Sequence, residues 1–276
     1  MHATLVTSRA NPRVKQLRAA FGGNAKLSGG LVAIEGEHLL QEAMRSGLVF
    51  KTIFLSERRD APEWIPGNVE RMELSEEVFA SAVDTRSPQG VAALLVPPVW
   101  KMEDACPPSV AGGKAPLLLI AAGVQDPGNL GTLIRSAEAF GATGVLTTAG
   151  TVDEWNQKAV RASAGSVFRV PVVEAGVAEL MGLKARGVRM FAAVAAESES
   201  NSIAAGAGGV AVSAADADLA GACALMIGNE GAGLGAELLS LADARVSIPM
   251  PGRVESLNAA VAGSLLLYEA ARQRVG

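Results

Sequence analysis

Two cysteines, two histidines and eleven aromatic residues (seven Phe, three Trp, one Tyr) are a sparse chemical endowment for a chain of 276 residues. Cys106 and Cys223 stand in no CxxC pair or Cys/His cluster. This excludes a disulfide framework and a structural zinc site, and points to a reducing compartment, the cytoplasm. His2 lies at the terminus and His38 in a helical stretch of the first half, away from the motifs below, and no metal is called for. Long apolar runs are missing too: stretches such as Leu117 to Gly123 are far too short to cross a bilayer, so no membrane span is expected. What is present is a composition 49% apolar and 19% charged, sufficient for a core and wrong for intrinsic disorder. The length suits two domains.

Positive charge is in the minority, 24 Lys and Arg against 28 Asp and Glu, and the net −4 excludes a histone-like protein. Its distribution is uneven. Residues 1–60 hold nine basic and five acidic side chains (+4), residues 61–100 two and six (−4), and residues 101–276 thirteen and seventeen (−4). The first 30 residues contain no acid but carry Arg9, Arg13, Lys15, Arg18 and Lys26. Such a stretch could resemble a transit peptide, though it lacks any secretory apolar region; a folded basic arm is the preferred reading. Clustered cations of this kind suit a polyanion, since phosphate contact depends on local charge and not on the total; an ordinary solvated helix face accounts for them equally well.

A run rich in Pro and Gly, from Pro97-Pro98 through Pro107-Pro108 to Gly112-Gly113-Lys114-Ala115-Pro116, divides the chain. The division predicts a basic arm over 1–30, a small α/β domain over 31–97, a linker over 98–116 and a larger domain over 117–276. In the small domain, strands are expected at Leu31 to Ile34, Thr52 to Leu55, Val69 to Met72 and Val91 to Val96, and helices at Glu37 to Ser46 and Ser75 to Val83. In the larger one, six apolar strands (Leu117 to Ala122, Gly144 to Thr148, Val170 to Val173, Val188 to Val194, Ala222 to Ile227 and Arg245 to Ile248) alternate with helical segments. That alternation predicts an α/β fold, a mostly parallel sheet with helices on both faces. The Ala-, Gly- and Ser-rich stretch between Glu197 and Gly221 reads as a flexible excursion.

Three segments carry chemistry. After the strand at Leu117, Asp126-Pro127-Gly128-Asn129 forms a turn and cap, and Leu130, Leu133, Ile134 and Ala137 recur with helical spacing. Asn129 thus falls at the carboxyl edge of a strand, where open α/β sheets bind ligands, and Arg135 on the less apolar helix face. Two bland assignments compete: Asn129 as a helix cap and Arg135 paired with Glu138. Second, Leu225-Met226-Ile227-Gly228-Asn229-Glu230-Gly231-Ala232-Gly233 is a buried strand opening into a glycine loop with a carboxylate beside it. Gly231, Gly233 and Ala236 fit G-x-G-x-x-A, so a dinucleotide site is a rival, but the next strand ends in Ile248-Pro249-Met250-Pro251 where an acidic residue is normally found. Third, a helix is expected from near Ser256, a natural N-cap, with Asn258 in its first turn, where an amide gains nothing from helix propensity.

Taken in order, Asn129-x-Gly131-x-x-x-Arg135, Gly228-Asn229-Glu230-Gly231-x-Gly233 and Ile248-Pro249-Met250-x-Gly252-x-x-x-Ser256-Leu257-Asn258 resemble the three signature motifs of the SpoU (TrmH-type) RNA 2′-O-ribose methyltransferases of the SPOUT superfamily. Ser8-x-x-Asn11-Pro12-x-Val14-Lys15-x-Leu17, Glu35-Gly36 and Ser87-Pro88-Gln89-Gly90-Val91 resemble the RNA-binding domain, similar to ribosomal protein L30e, that precedes the catalytic domain in many members.

The resemblance implies a deep trefoil knot in the second domain, where general folding rules alone would give an ordinary doubly wound sheet. It also implies a homodimer and S-adenosylmethionine as cofactor, contacted by Gly228, Ile248, Met250 and Leu257. It casts Arg135 as the group that activates the ribose hydroxyl. A guanidinium holds its proton too tightly to be a comfortable base, so the expected role is to clamp a phosphate and stabilise the developing alkoxide. Asn129, Glu230, Ser256 and Asn258 take the remaining catalytic-site positions, in target placement and loop architecture. The expected substrate is 23S rRNA, docked through Arg9, Arg13, Lys15 and Arg18, with tRNA the alternative; the readings from other classes are a non-catalytic RNA-binding scaffold and an NAD(P)-binding enzyme.

Overall fold

The computed structural model describes residues 5–23, 25–108, 114–195 and 211–275. They form two units, one comprising residues up to Val99 together with Trp155–Phe168, the other Trp100–Glu154 and Arg169 onward.

The first unit contains α1 (Pro12–Phe21), α2 (Ala25–Ser28), β1 (Val32–Glu35), α3 (Glu37–Arg45), β2 (Phe50–Ser56), β3 (Glu70–Leu74), α4 (Glu76–Ala82) and β4 (Val91–Leu95). Its sheet has the order β1-β4-β2-β3, antiparallel except for the β2/β3 pair. The segment expected as a separate basic arm belongs to this core. Val14, Leu17, Ala20 and Phe21, one apolar stripe of α1, are buried against Ala33, Phe54, Leu74, Phe79 and Leu94. Asn11 caps the helix by accepting from the Arg13 N–H, and Pro12 supplies a first-turn residue that needs no hydrogen bond. Val6 pairs with Leu74 along the otherwise open edge of β3.

The second unit contains α5 (Met102–Ala105), β5 (Leu117–Ala121), α6 (Pro127–Ala139), β6 (Gly144–Thr147), β7 (Val172–Glu174), α8 (Val177–Ala185), β8 (Arg189–Ala193), β9 (Val212–Ser213), β10 (Cys223–Ile227), α9 (Ala236–Leu241), β11 (Ala244–Ser247) and α10 (Ala259–Val275); the short α7 (Gln157–Ser163) lies in the segment that packs into the first unit. Seven strands in the order β7-β6-β5-β10-β8-β11-β9 pair in parallel throughout. Such a sheet is buried on both faces, which is why β5 and β10 read as unbroken apolar runs. Leu118, Ile120, Ala224 and Met226 join a cluster with Ala105, Leu180 and Leu183, and α8 and α9 cover that face. On the other face α10 and α6 pack so closely that a Cβ on Gly263 would meet Leu133 Cδ2 at 2.4 Å, and the Ser136 and Ser264 hydroxyls are 2.7 Å apart.

Three boundaries differ from the sequence reading. The expected linker carries α5, whose Ala105 lies 2.5 Å from a would-be Cβ of Gly144, so it is part of the core. Residues 155–168 leave the second unit although they lie between two of its strands. The excursion read between Glu197 and Gly221 contains β9, a seventh strand too short to show in sequence; its residues up to 210 lie outside the described set.

Candidate active site

The central strands β5 and β10 are neighbours, with Leu117 beside Cys223 and Ala121 beside Ile227, so their carboxyl ends deliver the first two motifs to one place. Asp126 caps α6 by accepting from the Asn129 N–H at 2.9 Å, which leaves the Asn129 side chain free for other bonds. Asn258, and not Ser256, is the N-cap of α10: its Oδ1 accepts from the N–H of Ala260 (2.9 Å) and Val261 (3.2 Å), and the helix starts at Ala259. The three motifs then meet through one amide chain. Asn258 Nδ2 donates to Asn129 Oδ1 at 3.0 Å, and Asn129 Nδ2 donates to Glu230 Oε1 at 2.8 Å. Glu230 also faces the backbone N–H groups of Gln125 and Asp126 at 3.4 Å.

Those donors decide the ionisation of Glu230. Partial burial, the largest single influence, would raise its carboxyl pKa. The Asn129 amide and the backbone N–H groups of Glu230, Gln125 and Asp126 together outweigh it and hold the group below its ordinary 4.5. Glu230 is therefore an acceptor that organises loops, and a poor proton store at neutral pH.

A cavity of about 570 Å³ opens beside this chain, within the range of small-molecule sites. Its walls include Gly228, Ile248, Met250 and Leu257, the four residues expected at a cofactor, as well as Glu230, Ser256 and Asn258. Asn129 and Arg135 lie outside the lining. The lining fits an organic ligand with apolar and polar parts: apolar walls from Ile248, Met250, Leu257 and Leu266 stand beside the polar residues Asn229, Ser256 and Asn258. The backbone also comes in close, since a Cβ on Gly228 would lie 2.3 Å from the Gly233 carbonyl carbon.

The glycine loop is closed on itself. Asn229 and Gly233 exchange backbone hydrogen bonds at 3.0 Å, and Asn229 Oδ1 accepts from the N–H of Gly231 and Ala232 at 2.9 and 3.0 Å. The N–H groups of Gly231, Ala232 and Gly233, which a dinucleotide fingerprint would turn toward a pyrophosphate, are thus already used within the loop, which weakens the NAD(P) reading. Asn229 holds the loop, a role not assigned from sequence; the signal was an Asx side chain beside glycines at a strand end. Ala193, Val194 and Ala195, at the end of β8, complete the wall and carry no motif.

Arg135 is exposed on α6 and makes no hydrogen bond or ion pair among the described residues; Glu138, its expected partner, binds Arg169. Of the four cations assigned to RNA, Arg9 pairs with Glu77 (2.7 Å), Arg13 with Glu70 (3.2 Å), and Arg18 donates to the Ser81 carbonyl (3.0 Å). Lys15 is exposed and has no such partner among the described residues. Among the described residues, no group of His, Cys, Asp and Glu is arranged to hold a metal ion, and no helix is long and apolar enough to cross a membrane.

Parallel strands whose carboxyl ends gather Asn and Glu side chains beside a cavity of small-molecule size define a ligand-binding α/β site. Residues 116–268 match the model of the SpoU rRNA methylase family, and the chain belongs to that family. Residues 11–93 match the MRM3-like substrate binding domain. Among relatives, the 23S rRNA (guanosine(2553)-2′-O)-methyltransferase RlmP of Bacillus subtilis is 34% identical over 264 residues, covering 95% of this chain and 97% of its own length. The crystal structure of an AdoMet-bound rRNA methyltransferase from Sinorhizobium meliloti superposes with a TM-score of 0.79 at 29% identity, covering 98% of each chain. That of the SpoU methyltransferase AviRb from Streptomyces viridochromogenes with AdoMet gives 0.80 at 28%, covering 96% and 98%.

Proposed function

We propose that this protein transfers a methyl group from S-adenosylmethionine to a ribose 2′-hydroxyl of 23S rRNA. The observation that carries the reading is the Asn258–Asn129–Glu230 chain, which ties three motif loops together at the mouth of a cavity fit for the cofactor. When bound, the cofactor supplies an electrophilic sulfonium methyl. The protein's own work is positioning and charge stabilisation. Gly228, Ile248, Met250 and Leu257 hold the cofactor, and Ser256 and Asn258 order the loop over it. Arg135, with no partner to release among the described residues, grips a target phosphate and stabilises the alkoxide as the hydroxyl proton leaves to phosphate or water. Asn129 and Glu230 set the loop from which α6 projects.

The first unit docks the RNA, in keeping with its match to a substrate-binding domain. Lys15 is available on α1, and the surface pairs of Arg9 and Arg13 cost little to exchange for phosphate. The protein acts as a homodimer in the cytoplasm. Val261, Leu265 and Tyr268 form an exposed apolar stripe on α10, beside the Phe140 ring, which suits a second copy of the same surface. The trefoil knot expected of the family belongs to this reading, supported by α10 packing back against α6 after the loops of β10 and β11.

Mapping of 2′-O-methyl sites in total RNA from cells with and without the gene tests the proposal. One 23S rRNA position is expected to lose its methyl; unchanged rRNA with a changed tRNA overturns the target, and no change in any RNA overturns the activity.

A further inference from the structure

The chain leaves the second unit after Glu154 and returns at Arg169, and the intervening residues pack in the first unit. There the buried Gln157 donates from Nε2 to the Ala33 carbonyl of edge strand β1 at 2.9 Å. Gly165, at φ +93, sits so near α3 that a Cβ would lie 2.8 Å from Glu42 Cβ. The excursion is therefore anchored at both of its ends to the unit that matches a substrate-binding domain.

Its point of departure is anchored as well, within the second unit. Thr151 Oγ1 donates to the Ala121 carbonyl at the end of β5 (2.9 Å) and accepts from the Gly123 N–H (3.1 Å). The Val152 N–H donates to the Val124 carbonyl at 2.9 Å. From the other side, Asn229 Nδ2 donates to the Gly123 carbonyl at 2.8 Å, and Asn229 lines the cavity. Gly123, at φ +67, is thus held through its N–H by Thr151 and through its carbonyl by Asn229.

We propose that Thr151 is a positioning residue that couples occupation of the first unit by RNA to the methyl-donor cavity, through the Gly123 backbone and Asn229. The proposal rests on the reading above that the cavity takes the donor and the first unit takes the RNA. Only Asp153 and Glu154 separate Val152 from the excursion, so little chain is available to absorb a displacement of Trp155–Phe168 before it reaches Thr151. The Thr151 hydroxyl uses its donor on the last residue of β5 and its acceptor on the loop that opens α6, so a shift there moves the Gly123 peptide groups and, through Asn229, the cavity wall. Linkage then requires RNA and donor to change each other's affinity by the same factor.

Equilibrium dialysis of tritiated S-adenosylhomocysteine against the full-length protein, with and without saturating in vitro transcribed 23S rRNA, measures that factor. The wild type is expected to bind it at least about fivefold more tightly with RNA, the lower end of ordinary coupling. Thr151→Val keeps the shape and removes the hydroxyl, and its ratio is expected near one; Thr151→Ser restores it. Gln157→Leu, which frees the excursion in the first unit, is expected to lower the ratio and leave the RNA-free affinity at the wild-type value. A wild-type ratio of one, or a Thr151→Val ratio equal to a raised wild-type ratio, overturns the coupling. Should Thr151→Val fail to fold, an undiminished ratio in Gln157→Leu overturns it instead. Failure of the wild type to bind S-adenosylhomocysteine at all would overturn the reading of the cavity, a separate result.

Discussion

Arg135 and Glu230 illustrate how the site divides labour between single residues. Among the described residues Arg135 has no partner, so in the proposed reaction its fork is available whole to a phosphate and a developing alkoxide. Arg135→Lys keeps the charge and loses the fork; its single-turnover methylation rate is expected to fall by roughly a hundredfold, as for loss of one oxyanion donor. A near-wild-type rate would rule out the geometric role. Glu230 is fully committed to its neighbours, and the donors around it hold its pKa below 4.5. The sign follows: a depressed folded-state pKa means the contribution is complete above the unfolded value and is lost as pH falls through the folded one. Stability, measured by chemical denaturation, is expected to fall as pH drops below 4.5 in the wild type. In Glu230→Gln it starts lower and falls less steeply over the same window, since Asp243 and Glu269, also held low, still titrate there.

At the scale of elements, the cavity exists because backbone segments approach more closely than side chains permit. Between β10 and α9 the chain doubles back so tightly that Gly228 and Gly233 touch through backbone atoms, which cannot swing aside as a flexible side chain would. Gly228→Ala is expected to cost about 1–3 kcal/mol in chemical denaturation, the ordinary penalty of overpacking, and to abolish donor binding in calorimetry. The C-terminus of α10 is secured in another way. Arg274 donates to the carbonyls of Ala115 (2.7 Å), Leu219 (3.0 Å), Pro116 and Gly221, closing the last helix onto the starts of β5 and β10. The helix is thereby fixed at both ends, by Asn258 capping its start beside the cavity and by Arg274 at the opposite edge of the sheet.

For the whole molecule, the exposed stripe on α10 bears on assembly. Leu265→Asp combined with Tyr268→Asp places two charges on that stripe, and light scattering is expected to report a dimer for the wild type and a monomer for the variant. Methylation should fall with dimer content, and a double variant that stays dimeric would remove α10 from the interface. The coupling proposed for Thr151 belongs to this scale too, because the chain crosses between its two units at residues 99–100, 154–155 and 168–169.

Much of this was legible in the sequence. The apolar runs of β5, β6 and β10 mark a parallel sheet because strands buried on both faces leave no polar alternation to confuse them. The order and spacing of Asn129, Arg135, Gly228, Glu230, Ser256 and Asn258 identify the family, because loop chemistry at strand ends is written locally. What sequence could not carry is partnership over distance. Only the tertiary structure decides that Asn129, 129 residues from Asn258, receives its amide hydrogen bond. The same holds for Arg9 and Arg13, which reach acids far along the chain, and for residues 155–168, which desert their neighbouring strands for another core. Local propensity and periodicity sum over adjacent residues and are set before the chain folds. Which polar groups satisfy each other is settled by burial, and burial exists only once distant segments have packed.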